Sequence, residues 1–143
     1  MLDCMILGDS IAVGTHAVMP QCELVGKGGV NSWHFGLLYS TKILKKDVVV
    51  ISLGSNDNAA SQTKYELMKV RGRIDAMKVY WIMPQGVAPD SSIELTKIQD
   101  IVRFVAGIYK DPIIDFAPSV DGVHPTPAGY KKIASEIVLK EKE

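Results

Sequence analysis

Three side chains in this sequence have the types and spacing needed to activate a nucleophile. Ser10 follows a short apolar run, and Asp121 precedes His124 by three residues in a loop rich in turn-forming residues. A serine hydroxyl is a weak nucleophile until a base removes its proton, and an imidazole, which titrates near pH ~6.5, can accept that proton. A carboxylate at this spacing can reach the imidazole N–H and fix its tautomer. We therefore interpret Ser10 as a nucleophile, His124 as its general base and Asp121 as the residue that orients the base.

Each of these residues also has a simpler structural interpretation. Ser10 lies at a predicted strand-to-helix turn, where a serine commonly caps the helix. Asp121 and His124 could form a turn that only caps the last helix. Of the three histidines (His16, His34 and His124), only His124 lies in a loop of this kind. The combination of the three residues favours the chemical interpretation.

A second group of residues could stabilise the negative charge that acyl transfer builds on a carbonyl oxygen. The candidate donors are the backbone N–H of Ser10, the backbone N–H of Gly29 and the side-chain amide of Asn56. Gly28 could serve in place of Gly29, although we favour Gly29. The glycines could instead form only a strand-end turn, and asparagine before aspartate is common in turns. We expect Asp57 to bond to this loop and to hold Asn56 in place.

Three further residues are candidates for contacts with a substrate. Trp33 and His34 follow the glycine cluster, and Gln85 follows the fourth predicted strand. Packing or surface exposure is the alternative interpretation of Trp33 and His34.

The elements that must position these residues alternate along the chain. Short apolar runs predict five strands, at residues 4–7, 22–25, 47–53, 78–83 and 112–116. Segments of helical period predict five helices, at residues 11–19, 32–44, 63–77, 92–108 and 126–140. This order predicts an α/β fold with a five-stranded parallel sheet and helices on both faces. Because ligands bind at the carboxyl ends of such strands, the polar segments that follow the strands should converge at one edge.

The composition is that of one globular domain covering residues 1–143. Lys plus Arg and Asp plus Glu both number 16, so we expect no general attraction to nucleic acid or to a membrane surface. No apolar run approaches the ~20 residues of a membrane span. The amino terminus lacks the pattern of a signal peptide, which predicts a cytoplasmic protein.

The two cysteines, Cys4 and Cys22, do not form a CxxC pair and lack partners for a zinc site. Both adjoin apolar runs. We expect two reduced, buried thiols in a reducing compartment. A disulfide stays open, since neighbouring strands could bring the two together.

Four polar blocks of the sequence, taken together and in order, resemble those of the SGNH (GDSL-type) hydrolase superfamily. They are ILGDS at residues 6–10, GKGG at 26–29, GSND at 54–57 and DGVHP at 121–125. The superfamily is named for a serine, a glycine, an asparagine and a histidine. These correspond here to Ser10, Gly29, Asn56 and His124, with Asp121 as the acid. One departure is an isoleucine after the serine, where the GDSL pattern has leucine.

The resemblance implies a flavodoxin-like, three-layer α/β/α fold. It also implies a serine esterase, lipase, thioesterase or carbohydrate deacetylase that uses a Ser-His-Asp mechanism, with no metal and no cofactor. Many relatives are longer, so we expect few loop insertions and a shallow, open site. Such a site suits a small-molecule or glycan ester with a short acyl group such as acetyl, because little sequence remains to build a deep apolar slot.

Other functions stay open at this point. The chain could be a catalytically silent carbohydrate-binding module on the same fold. It could also bind a nucleotide or flavin, although GKGG matches neither the P-loop nor the GxGxxG pattern. A third possibility is an esterase domain carried on a phage or cell-surface assembly. The sequence leaves the oligomeric state and the natural substrate open.

Overall fold

The computed structural model describes residues 1–140, so the predicted domain of residues 1–143 extends three residues beyond the described chain. Within these described residues, seven strands and five helices follow one another, with a single 3-10 turn at Ala59–Ser61 between β4 and α3. In chain order they are β1 (Cys4–Gly8), α1 (Ser10–Val18), β2 (Glu23–Gly26), α2 (Ser32–Leu38), β3 (Leu44–Lys45), β4 (Val48–Ser52), α3 (Thr63–Gly72), β5 (Ile74–Asp75), β6 (Lys78–Ile82), α4 (Leu95–Tyr109), β7 (Ile113–Ile114) and α5 (Pro127–Glu136).

The main sheet has five strands in the order β2-β1-β4-β6-β7, and every pair is parallel. Side chains alternate between its two faces: Met5 and Leu7 of β1 pack with α2, α3 and α4, whereas Cys4 and Ile6 pack with α1 and α5. Both faces are therefore covered, which explains why β1 and β4 are apolar throughout. The predicted α/β/α fold with a five-stranded parallel sheet is confirmed.

The strand order reverses at β1, because β2 lies on one side of it and β4 on the other. Gly8 at the end of β1 pairs with Ser52 at the end of β4. The loops that leave these strands therefore begin side by side at the carboxyl edge. This reversal is where doubly wound sheets bind their ligands, and it is where the segments containing Ser10 and Asn56 lie.

Two helices are shorter than the sequence pattern predicts. The predicted helix at residues 32–44 ends at Leu38, and the one at residues 63–77 ends at Gly72. The residues beyond them pair instead as β3 and β5, a separate two-stranded parallel sheet. The guanidinium of Arg73 donates to the carbonyls of Tyr39 and Lys42 at 2.8 Å each, and these bonds hold the segment between α2 and β3 in place.

The last two helices also differ at one end from the predicted ranges. The predicted helix at residues 92–108 begins at Leu95, and the one at residues 126–140 ends at Glu136. After Glu136 the chain is extended, because Ile137 packs into the core and the carbonyl of Leu139 accepts from the N–H of Leu2 at 2.8 Å. Of the helices within residues 1–140, none combines the length and the apolar character needed to cross a membrane.

The prediction of two reduced thiols is wrong, and the disulfide that the sequence left open is present. Cys4 and Cys22 are bonded to each other across 18 residues. The pairing is possible because β1 and β2 are neighbours in the sheet, so their amino ends adjoin. Disulfides persist in oxidising compartments, and the cysteines therefore do not support a reducing one.

Asp9 caps α1 from a fully buried position beneath the edge of the sheet. One carboxylate oxygen accepts from the N–H of Ile11 at 3.0 Å and from the hydroxyl of Ser52 at 3.1 Å, and its other oxygen has no partner within residues 1–140. Burial raises the pKa of Asp9 from 3.8 to about 6, against the lowering effect of these hydrogen bonds. The cap holds the start of α1, and hence Ser10, against β4.

Replacing both Cys4 and Cys22 by alanine should lower the free energy of unfolding by about 3 kcal/mol, because the unfolded chain gains the entropy of an open 18-residue loop. Urea denaturation of the variant and of the wild type, with and without reductant, measures this change. Reductant should destabilise the wild type and leave the variant unchanged. Equal stability of oxidised wild type and variant would contradict the prediction.

Asp9→Asn should remove part of the pH dependence of stability. The Asp9 carboxyl has a higher pKa in the folded chain than in the unfolded chain, so the folded chain binds its proton more tightly. The resulting contribution to the free energy of unfolding amounts to about 3 kcal/mol. It is fully present below pH ~4 and is lost as the pH rises through about 6. Urea denaturation at pH 4 and pH 7 should show a larger loss of stability in the wild type than in Asp9→Asn. Equal losses would contradict the assignment.

Candidate active site

Residues 114 positions apart meet at the carboxyl edge of the sheet. The hydroxyl Oγ of Ser10 lies 2.7 Å from Nε2 of His124, and Nδ1 of the same ring lies 2.8 Å from Oδ2 of Asp121. A carboxylate can only accept, so Nδ1 carries the ring proton and Nε2 is left to accept from the serine hydroxyl. The structure thus brings together all three residues predicted from the sequence, in the order serine, histidine, aspartate.

The Asp121 carboxylate is held by the turn that it helps to form. Its Oδ1 accepts from the N–H groups of Val123 and His124, both at 2.8 Å, and from the hydroxyl of Ser119 at 3.1 Å. The hydrogen bond from Val123, followed by those from His124, holds the pKa of Asp121 well below its usual range. Asp121 is therefore ionised at all working pH values, although its side chain is half exposed.

Contacts that the sequence pattern did not single out hold this turn in place. The carbonyl of His124 accepts from the N–H of Ser119 at 2.7 Å. The chain after β6 also packs closely here, because a Cβ on Gly86 would lie only 1.9 Å from the carbonyl oxygen of Gly122. In the sequence, Gly86 could have been recognised as a glycine shortly after a predicted strand. Ser119 could have been recognised as a serine two residues before Asp121.

Helix α5, which follows the His124 loop, packs directly on α1, which begins at Ser10. The ring of Tyr130 fills the space beside Gly14, where a Cβ would lie 2.3 Å from its Cζ. Burial raises the pKa of Tyr130, and the charges of Asp9 and Asp121 add to this rise. This contact fixes the distance between the two helices, and with it the approach of His124 to Ser10.

The predicted oxyanion donors lie in the loops around Ser10. Among residues 1–140, no group accepts a hydrogen bond from the N–H of Ser10 or of Gly29. The amide nitrogen of Asn56 donates one hydrogen to the carbonyl of Val30 at 3.2 Å, which leaves its second hydrogen available. Gly29 has a φ of +82°, a conformation that favours glycine. Gly28 also lies near the serine, since a Cβ on it would be 3.8 Å from Cβ of Ser10, so the preference for Gly29 stays a prediction.

The three residues predicted to contact substrate are placed less directly. Trp33 and His34 lie exposed at the start of α2, with their ring centroids 5.2 Å apart. The amide of Gln85 donates to Asp115 at 3.0 Å, which ties that side chain to the residue after β7. Within the described residues, no hydrogen bond, ion pair or ring contact joins any of the three to Ser10 or His124, and their roles stay predictions.

The catalytic side chains proposed for the site are open to solvent. The side chains of His124 and Asp121 are 40% and 50% exposed. Within residues 1–140, no three His, Cys, Asp or Glu side chains form a group that could hold a metal ion.

Comparison with known proteins finds similarity in structure but not in sequence. No protein-family model and no curated protein matches the chain. A Bacteroides fragilis protein named as an acylhydrolase superposes with a TM-score of 0.67 at 20% identity, over 93% of this chain and 83% of that one. A Parabacteroides merdae protein named as a GDSL-like lipase gives 0.67 at 15% identity, over 93% and 92% of the two chains.

A third solved structure, AlinE4, is described as an SGNH-hydrolase family esterase. It superposes with a TM-score of 0.50 at 14% identity, over 93% of this chain and 90% of that one. Nearly the whole length of each protein is therefore matched. Together with the strand order, these similarities show that the chain has the fold of the SGNH (GDSL-type) hydrolases.

Proposed function

We propose that this protein is a serine esterase that hydrolyses short-chain acyl esters through Ser10, His124 and Asp121. The observation that carries the proposal is the continuous hydrogen-bonded series from the hydroxyl of Ser10, through both nitrogens of His124, to the ionised carboxylate of Asp121. The shared fold with proteins described as esterases and acylhydrolases supports it.

In the first half of the proposed reaction, Oγ of Ser10 forms a bond to the acyl carbon while its proton passes to Nε2 of His124. Asp121 stabilises the resulting imidazolium and keeps the ring oriented. The carbon–oxygen bond to the alcohol then breaks, and His124 gives its proton to the departing alkoxide. The acyl group remains on Ser10 as an ester.

Water completes the cycle in the second half. His124 takes a proton from the water molecule, whose oxygen bonds to the acyl carbon, and the proton then returns to Ser10 as the acid leaves. In both halves the carbonyl oxygen carries negative charge. The N–H groups of Ser10 and Gly29 and the second amide hydrogen of Asn56 are the donors we assign to it.

The exposure of the site supports a short acyl group on a larger alcohol. The side chains of His124 and Asp121 are about half exposed, so a bulky alcohol such as a glycan can approach them from solvent. A long alkyl chain would need an enclosed apolar slot for favourable burial. We therefore assign acetyl or a similarly short group, carried on a glycan or another large alcohol.

Ser10→Ala and His124→Ala should each reduce the hydrolysis of p-nitrophenyl acetate at least ~1,000-fold, because each removes a member of the proton-transfer series. Wild-type protein should hydrolyse the acetate faster than p-nitrophenyl decanoate. The release of p-nitrophenol, followed by absorbance, measures both.

Two variants outside the site serve as matched controls: Ser135→Ala on α5 and His16→Ala on α1. Both should retain wild-type rates. If the Ser10 and His124 variants also keep wild-type rates, the hydrolysis does not arise at this site, and the proposal is wrong.

Asp121→Asn should lower kcat about 1,000-fold with little change in thermal stability. An asparagine can keep its Oδ1 as acceptor for the N–H groups of Val123 and His124. Its amide nitrogen would replace Oδ2, however, and would donate to Nδ1, which favours the tautomer that cannot accept from Ser10. Steady-state kinetics with p-nitrophenyl acetate measure the loss. A kcat within threefold of wild type would show that the Asp121 carboxylate does not set the tautomer.

A further inference from the structure

We infer that Asp57 is a positioning residue that clamps the loop carrying Asn56 to the loop carrying Gly29, so that both proposed oxyanion donors face the same point. This inference rests on the proposed function. It concerns how the oxyanion site is held together, and Asp57 itself touches no substrate.

The clamp consists of two parallel hydrogen bonds between the loops. The amide of Asn56 donates to the carbonyl of Val30 at 3.2 Å, and the N–H of Ser32 donates to Oδ1 of Asp57 at 2.8 Å. The adjacent residues Asn56 and Asp57 thus bond to Val30 and Ser32, which are two positions apart in the segment after Gly29. Gly29 directly precedes Val30, so the same two bonds set its position relative to Asn56.

Asp57 has the burial and bonding needed for a fixed anchor. Its side chain has no exposed surface, and its second oxygen accepts from the hydroxyl of Thr63 at 2.6 Å. Its own N–H donates to the carbonyl of Gly54 at 3.1 Å, which closes the turn after β4. Both carboxylate oxygens are therefore occupied, and the side chain has one orientation.

Full burial also separates Asp57 from any direct chemical role. A substrate that approaches the exposed His124 cannot contact a carboxylate with no accessible surface. Burial raises the pKa of Asp57, although the bonds from Thr63 and Ser32 oppose the rise. The effect of Asp57 must therefore pass through the two loops that it joins.

The consequence for catalysis follows from the distance dependence of an oxyanion hole. Its donors act only when they lie within hydrogen-bond reach of the developing charge, and a displacement of about 1 Å can reduce the rate about 100-fold. The donors from Asn56 and Gly29 bond to charge that develops only in the transition state. Loosening the clamp should therefore lower kcat while KM stays nearly constant.

The test compares Asp57→Ala with Asn56→Ala and with the double variant, using p-nitrophenyl acetate. Asp57→Ala should lower kcat about 100-fold and change KM less than about twofold. If Asp57 acts through Asn56, the same substitution in the Asn56→Ala background should have an effect at least ~10-fold smaller. Additive losses would overturn the inference, and so would a change confined to KM.

A matched control removes another buried carboxylate far from β1. Asp111 accepts from Arg71 and Trp81, and its side chain is 5% exposed. It precedes the edge strand β7, which β4 and β6 separate from β1. Asp111→Ala should lower the melting temperature but leave kcat within about twofold. An equal loss of kcat in Asp57→Ala and Asp111→Ala would show only a general loss of stability and would overturn the inference.

Ser32→Pro tests the clamp without changing Asp57, in case Asp57→Ala does not fold. Proline lacks the N–H that Asp57 accepts and is well tolerated at the first position of a helix, and Asn31 before it is already extended. Ser32→Ala keeps the N–H and is the control. Ser32→Pro should lower kcat about as much as Asp57→Ala does, whereas Ser32→Ala should stay within about threefold. Equal kcat values in the two Ser32 variants would overturn the inference.

A readout that needs no turnover separates this inference from the proposed function. In the wild type, one of the two amide protons of Asn56 should exchange slowly in nuclear magnetic resonance spectra, because Val30 accepts from it. In Asp57→Ala and Ser32→Pro both protons should exchange fast. If that protection is lost as expected but Ser10→Ala keeps wild-type turnover, the proposed function fails and the clamp stands. If protection of Asn56 persists in both variants, the clamp fails.

Discussion

The parallel pairing of β1 with β4 is the constraint on which the rest of the site depends. Its register sets Gly8 opposite Ser52, so the two strands end at the same level and their loops leave the sheet side by side. β2 lies on the other side of β1, and the chain crosses over in opposite directions from this point. The loops at the carboxyl edge therefore remain uncovered. A shift of one residue in this register would turn every β1 side chain to the opposite layer.

Three aspartates support the site in two physically different ways. Asp9 and Asp57 are fully buried, and each accepts from a backbone N–H at or near the start of a helix, so they fix the loops from within. Burial raises the pKa of both carboxyls. Asp121 is half exposed, and hydrogen bonds from its own turn lower its pKa instead. The carboxylate that contacts His124 is consequently the one whose surroundings favour its charged form.

The histidine reaches the serine only through packing between helices. His124 comes from a loop far along the chain, and its placement depends on α5 lying against α1. Tyr130 sets that contact by filling the space beside Gly14. The turn containing His124 is itself rigid, since the Asp121 carboxylate and Ser119 bond to its backbone. A rigid turn on a fixed helix gives the 2.7 Å approach of Nε2 to Ser10 without any covering loop.

The sequence by itself determined the alternation of strands and helices, and hence the sheet and its polar edge, because those patterns arise from neighbouring residues. It also predicted which residue types meet there: Ser10 after a buried strand, and Asp121 three residues before His124. Only the tertiary structure decided the features that join distant residues. These are the pairing of Leu44 with Ile74 beyond the ends of two helices, the Cys4–Cys22 disulfide, and the hydrogen bonds that join Asn56 to Val30 and Asp57 to Ser32. Each depends on which strands and loops become neighbours in space, and local periodicity carries no information about that.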